Sequence, residues 1–102
     1  MNTYTYSDDL KFGDRELNRT TQSIKAMAHP LRLKILFALN DHEASVNDIA
    51  THVGTSQSNI SQHLSMMRDK GLLSRRKVSN QVFYKIDDQR TLNLINLIQE
   101  VY

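Results

Sequence analysis

The chain contains no cysteine. That excludes disulfides, thiolate metal sites and thiol redox chemistry together, and it fits a cytoplasmic location. No run of about eighteen apolar residues occurs, so no membrane span is expected. The opening stretch MNTYTYSDDLKFGDRELN has no apolar segment behind a basic one, so no signal peptide is read there. Proline appears once, as Pro30, and glycine three times, as Gly13, Gly54 and Gly71. No internal repeat, low-complexity tract or linker interrupts the rest. No nucleophile–base pair, glycine-rich phosphate loop or carboxylate pair stands out, so the chain reads as no enzyme and no cofactor is expected.

What is present is one small domain's worth of sequence. The 102 residues, 39% of them hydrophobic, suffice for a modest core, which a second copy would enlarge. The net charge is only +2, so the placement of charges matters more than their sum. Residues 1–13 are expected to form a flexible segment, and 14–102 a single domain.

The four punctuating residues divide the chain. Asp14 to Ala28 carries Leu17, Thr21, Ile24 and Ala28 at helical spacing, with Asp14 placed to cap the start. Pro30 suits the first position of a second helix, where its missing N–H is no loss. That helix, PLRLKILFALN, is apolar over most of its circumference and should be the centre of the core. After a polar turn, NDHEA, a third helix begins with Ser45 and Asp48 in a capping-box pattern and ends at Gly54. A fourth begins at Thr55 or Ser56 and ends at Gly71. A turn of three or four residues between them is the spacing of a helix-turn-helix.

The period then changes. Val82, Tyr84 and Ile86 alternate as in a strand, with Leu72 to Lys77 as its partner and Asn80 placed to take a positive φ at the tip. QRTLNLINLIQEVY closes the chain as a helix with more apolar surface than one facing water should show.

The fourth helix carries the chemistry. At about 100° per residue, Ile60, Leu64 and Met67 fall on one side. Ser58, Ser61, Gln62 and Ser65 fall on the other, with Gln57 at the boundary. Solvent-facing helix surfaces favour Glu and Lys, which are good helix formers, whereas Ser and Asn are poor ones. Short hydroxyl and amide side chains suit base edges in the DNA major groove, which a helix can enter.

MAHPLRLKILFAL, SVNDIATHVGTSQSNISQHLSMMRDKGLL and QVFYKID together resemble the ArsR/SmtB family of winged helix-turn-helix transcriptional repressors, over roughly residues 23–88. The resemblance implies a mainly α fold of about five helices with a two-stranded wing, and a homodimer in which the first and last helices pair. It implies that the fourth helix is the recognition helix, with Ser56, Gln57, Ser58, Ser61 and Gln62 facing the groove of double-stranded DNA. In the wing, Arg75, Arg76 and Lys77 are consecutive, with Lys85 on the facing strand, a basic edge suited to phosphates. Leu17, Ile24, Leu94, Ile98 and Val101 are the expected dimer contacts, since a two-fold partner offers self-complementary burial. A pair of recognition helices about one DNA turn apart would read an inverted repeat.

The chain departs from the family's sensing chemistries. Where relatives place a cysteine pair in the third helix, this chain has Ser45 and Asn47. Where a second metal site uses Asp and His in the last helix, Asp88 matches but Arg90 stands in the His position. One carboxylate beside a guanidinium is not a divalent site, so no metal site is expected. Phe37 stands where relatives that sense oxidants carry a thiol. His29, before Pro30, reads as a helix cap or packing residue, and Met27, Met66 and Met67 as core filler. The inducer is therefore unidentified. The competing reading keeps the fold without DNA, as a module that binds another protein through the apolar last helix. The hydroxyl- and amide-rich face argues against it, since protein-binding faces are richer in aromatics.

Overall fold

A computed structural model describes residues 12–102. The expected flexible segment, residues 1–13, lies almost wholly outside the described residues. Eight elements follow in the order α1 (Asp14–Met27), α2 (Pro30–Leu39), β1 (Ala44–Ser45), α3 (Val46–Val53), α4 (Gln57–Asp69), β2 (Leu73–Val78), β3 (Gln81–Ile86) and α5 (Gln89–Val101).

The helix ends show why each begins where it does. Asp14 does not cap α1: Gly13 does, and the Glu16 carboxylate accepts its N–H at 3.1 Å. Asp14 sits one residue further in, where a carboxylate still faces the positive end of the helix dipole. At α2, Nδ1 of His29 accepts the N–H of Leu31 at 3.1 Å and Pro30 takes the first helical position. At α3, Ser45 Oγ accepts the N–H of Asp48 at 3.0 Å, only that half of the capping box being formed. At α4, Ser56 Oγ accepts the N–H of Asn59 at 3.1 Å. Gly54 ends α3 with φ 87°, a left-handed conformation that side chains with a Cβ adopt at a penalty.

Ile35, Leu36 and Leu39 of α2 are fully buried, as are Ile49 of α3, Ile60, Leu64 and Met67 of α4, and Ile95 of α5. This is one continuous core, with α2 at its centre. Arg32 and Lys34 are the charged residues on α2, and Nζ of Lys34 reaches the carbonyl oxygen of Val53 at 3.1 Å. A cation there satisfies the carboxyl end of α3 and ties α3 to α2.

The sheet has one strand more than the sequence suggests. β2 and β3 form the expected hairpin, in register from Leu73 opposite Ile86 to Val78 opposite Gln81. β1, hidden at the end of the supposed polar turn, pairs with β3 on its other side through Ala44–Tyr84 and Ser45–Phe83. Two residues cannot show a strand's alternation, so only the partner reveals them. The hairpin tip also differs from expectation: Ser79, not Asn80, takes the positive φ, at 56°.

The terminal helices behave differently from the rest. The stripe Leu17, Thr21 and Ile24 on α1, with Ala28 at its C-cap, faces outward, and Ala26 and Met27 are the buried residues. On α5, Ile95 and Thr91 are buried, while Leu97 is 54% and Val101 64% exposed.

Candidate nucleic-acid interface

Three residues, Gly54 to Ser56, separate α3 from α4, and Ile49, Ala50 and Val53 lock α3 into the same core as Ile60 and Leu64. The inner face of α4 is thus held rigidly, and its outer face is presented without slack. Gln57, Ser58, Ser61, Gln62 and Ser65 are all exposed on it.

These side chains are not equally free. Ser56 is exposed, but its hydroxyl is engaged in capping α4. Gln57 donates from Nε2 to Oδ1 of Asn47 at 2.7 Å. Asn59, half-buried, donates to the Thr55 hydroxyl at 3.1 Å and so braces the turn. Ser58, Ser61 and Gln62 make no side-chain hydrogen bond among the described residues.

The basic run on β2 is split by the sheet. Arg75 pairs across the hairpin with Tyr84 and Lys77 with Val82, whereas Arg76 pairs with Phe83 on the opposite face. The Arg76 guanidinium lies 5.3 Å from the centroid of the Phe83 ring. It also grips Glu43 with two hydrogen bonds of 2.7 Å, from Nε and Nη2. Those bonds, more than the charge alone, hold the Glu43 carboxyl below its ordinary pKa. Arg75 and Lys77 have no ion pair among the described residues, so two of the three cations are unengaged. Lys85 sits 3.7 Å from Asp87.

The expected dimer contacts lie on α1 and α5. Leu17 and Ile24 are 53% and 52% exposed, Val101 is exposed, and Leu94 and Ile98 are half-buried. Ile24, Met27, Leu72 and Leu94 line an open groove of about 820 Å³ together with Phe12.

The residues matched to sensing positions have other occupations. Asp88 caps α5: Oδ1 accepts the Arg90 N–H and its Nε–H at 3.1 Å, and Oδ2 accepts the Thr91 hydroxyl at 3.2 Å. The guanidinium hydrogen bonds are the chief reason its carboxyl is held below its ordinary pKa. His29 caps α2, as read from the sequence, and its ring centroid is 4.9 Å from that of His63 on α4. Arg32 Nε donates to His63 Nδ1 at 3.1 Å, so that nitrogen carries no proton. Burial above all lowers the His63 pKa, with the charges of Arg32 and His29 adding to it.

Asn47, Glu43 and Arg32 were not singled out as site residues from the sequence. Each meets its partner 10, 33 or 31 residues away. No local period carries that information. The only available signal was that Asn47 interrupts a helix start with a short amide.

A family model for bacterial regulatory proteins of the arsR family matches residues 29–75. The chain is 39% identical over 79 residues to the transcriptional activator HlyU of Vibrio cholerae, covering 78% of this chain and 73% of that protein. A solved structure of that HlyU superposes with a TM-score of 0.84, over 88% of this chain and 98% of the other, at 34% identity. The transcriptional repressor PagR of Bacillus anthracis is 34% identical over 94 residues, 91% of this chain and 94% of PagR. The homodimeric winged helix-turn-helix DNA-binding domain of Mb0332 from Mycobacterium bovis, solved in solution, gives a TM-score of 0.79 at 30% identity, over 89% and 87% of the two chains.

Proposed function

The chain belongs to the ArsR family of bacterial regulatory proteins, and on that premise we propose that it is a cytoplasmic, homodimeric repressor of transcription that reads an inverted-repeat operator. The observation that carries this reading is the outer face of α4. Its residues Ser58, Ser61 and Gln62 are exposed and unengaged at the helix's N-terminal half, while Ile60, Leu64 and Met67 on the inner face are fully buried. A helix so anchored presents donors and acceptors at defined positions, which base readout needs. Ser58, Ser61, Gln62 and Gln57 make the base contacts, and the Ser56 hydroxyl, spent on capping, positions the helix start. Arg75 and Lys77, with Arg76 where it exchanges Glu43 for a phosphate, supply the sequence-independent contacts.

Leu17, Ile24, Leu94, Ile98 and Val101 form the two-fold interface, in which α1 and α5 of the two copies cover each other's apolar faces. The homodimeric state of the Mycobacterium bovis domain supports this assembly. PagR is a repressor and HlyU an activator, and the proposal of repression follows PagR because that match, though lower in identity, spans more of this chain, 91% against 78%. Residues 14–102 act as a single unit. No helix among the described residues is long and apolar enough to cross a membrane.

The test is an electrophoretic shift with the promoter fragment of the protein's own operon. Binding that weakens steeply with salt is expected. Gln57→Ala or Ser61→Ala should reduce discrimination between operator and random DNA. Operator affinity untouched by both substitutions would remove α4 from the interface, and no shift at any salt would favour a module that binds protein instead. Sedimentation of Ile24→Glu should show monomers; a dimer unaffected by that charge would remove α1 from the interface.

A further inference from the structure

The 2.7 Å hydrogen bond from Gln57 Nε2 to Asn47 Oδ1 joins the first residue of α4 to the second of α3. Both side chains are exposed. An exposed pair of amides in water has little reason to stay together for stability, since each is equally well served by solvent. We propose that Asn47 is a positioning residue for base readout: it orients the Gln57 amide and so biases that glutamine toward adenine over guanine. This rests on the reading of α4 as the recognition helix.

The chemistry of the two bases makes the bias specific. A glutamine amide has two N–H donors on Nε2 and an acceptor, Oε1. Adenine shows the major groove an acceptor at N7 and a donor at N6, so one N–H and Oε1 satisfy it. Guanine shows two acceptors, N7 and O6, and asks for two donors. Asn47 occupies one N–H of Gln57. What is left is one donor and one acceptor, which is the adenine pattern and a poor match to guanine. When DNA displaces water from both amides, the same hydrogen bond holds the long Gln57 side chain in one arrangement. Among the described residues no other exposed side chain of the α4 row has such a partner, and Ser58, Ser61 and Gln62 are left to adapt.

Asn47 lies at an α3 position where the resemblance implies a cysteine in metal-sensing relatives. Here that position touches the DNA-facing residue.

The experiment uses the full chain and a duplex recovered by the wild-type protein from a randomised oligonucleotide pool, together with its single-base variants. Wild type should prefer adenine over guanine by about tenfold at one position in each half-site, and Gln57→Ala should abolish that preference. Asn47→Ala should reduce it about threefold or more with unrelated duplex bound as before. Adding Asn47→Ala to Gln57→Ala should change nothing further. Asn47→Asp keeps an acceptor for Gln57, so it should retain the preference while its charge weakens all duplexes alike.

Asn47→Ala leaving the adenine preference at its wild-type value would overturn the proposal. So would a loss of the same size in the Gln57→Ala background, which would mean that Asn47 touches DNA itself. A distinct result, Gln57→Ala with an unchanged preference at every position, would instead overturn the assignment of Gln57 to base readout and the proposal with it.

Discussion

Glu43→Gln should make the protein bind DNA more tightly and with a steeper dependence on salt. The Glu43 carboxylate holds Arg76 with two hydrogen bonds of 2.7 Å, so the pair offers a phosphate almost no net charge. Glutamine keeps an acceptor for the guanidinium, and the Phe83 ring 5.3 Å away still supports it, so the hairpin should keep its shape. What changes is electrostatic: one cation per protomer becomes available. A phosphate contact adds about 0.9 to the slope of log affinity against log salt. Two protomers give about 1.8. Between about 50 and 200 mM salt the variant should therefore lose about tenfold more affinity than wild type. Fluorescence anisotropy with a labelled duplex across that salt range measures the slope, and an unrelated duplex should show the same increment. Unfolding by urea should be nearly unchanged, because exposed ion pairs contribute little to stability. An unaltered slope in Glu43→Gln would refute the reasoning, because Arg76 would then either lie out of reach of the backbone or already leave Glu43 for a phosphate in the wild type. The matching control, Arg76→Ala, should weaken operator and random DNA about equally.

Three further outcomes follow from the packing and the charges. Leu64→Ala, at a fully buried position of α4, should destabilise the chain by about 2–5 kcal/mol in urea unfolding, and a loss below about 1 kcal/mol would mean that α4 is not anchored as described. Ser79→Gly should stabilise by about 0.5–1 kcal/mol, because φ 56° strains a residue with a Cβ; a lower urea midpoint would contradict that strain. The pH response of His63 has a definite sign. Its folded pKa lies below 6.5, so the unfolded chain binds the extra proton first. The stability contributed by neutral His63 is whole above that value and is lost as pH falls from it toward the folded pKa. Wild type should lose more stability than His63→Gln between about pH 7.5 and about pH 5.5, and equal losses would mean that the fold does not favour the neutral form of His63.

The parts of the fold legible in the sequence are those written in local periods and punctuation. The caps at Ser45, Ser56 and His29, the left-handed stop at Gly54 and the inner row Ile60, Leu64 and Met67 are all decided within a few residues of themselves. The cap of α1 falls at Gly13, one residue before the expected Asp14, because Gly13 has no side chain to advertise it and the Glu16 carboxylate accepts its N–H from three residues on. At the wing tip, Asn tolerates a left-handed φ better than Ser in general. The register Val78–Gln81 nevertheless places the turn so that Ser79 must adopt it.

The amino-acid order by itself determined the helix-turn-helix: its spacing, which face of α4 is apolar and which is polar, and that the terminal helices carry apolar surface to spare. Those features depend on residues near one another in the chain, where hydrogen bonding and amphipathic period act directly. Only the tertiary structure decided how the polar side chains are employed. It set Glu43 against Arg76, Asn47 against Gln57 and Arg32 against His63, and it laid Ala44–Ser45 beside β3 as a third strand. A polar side chain has many acceptable partners and no period of its own, so which one it meets depends on how the buried core brings distant elements together.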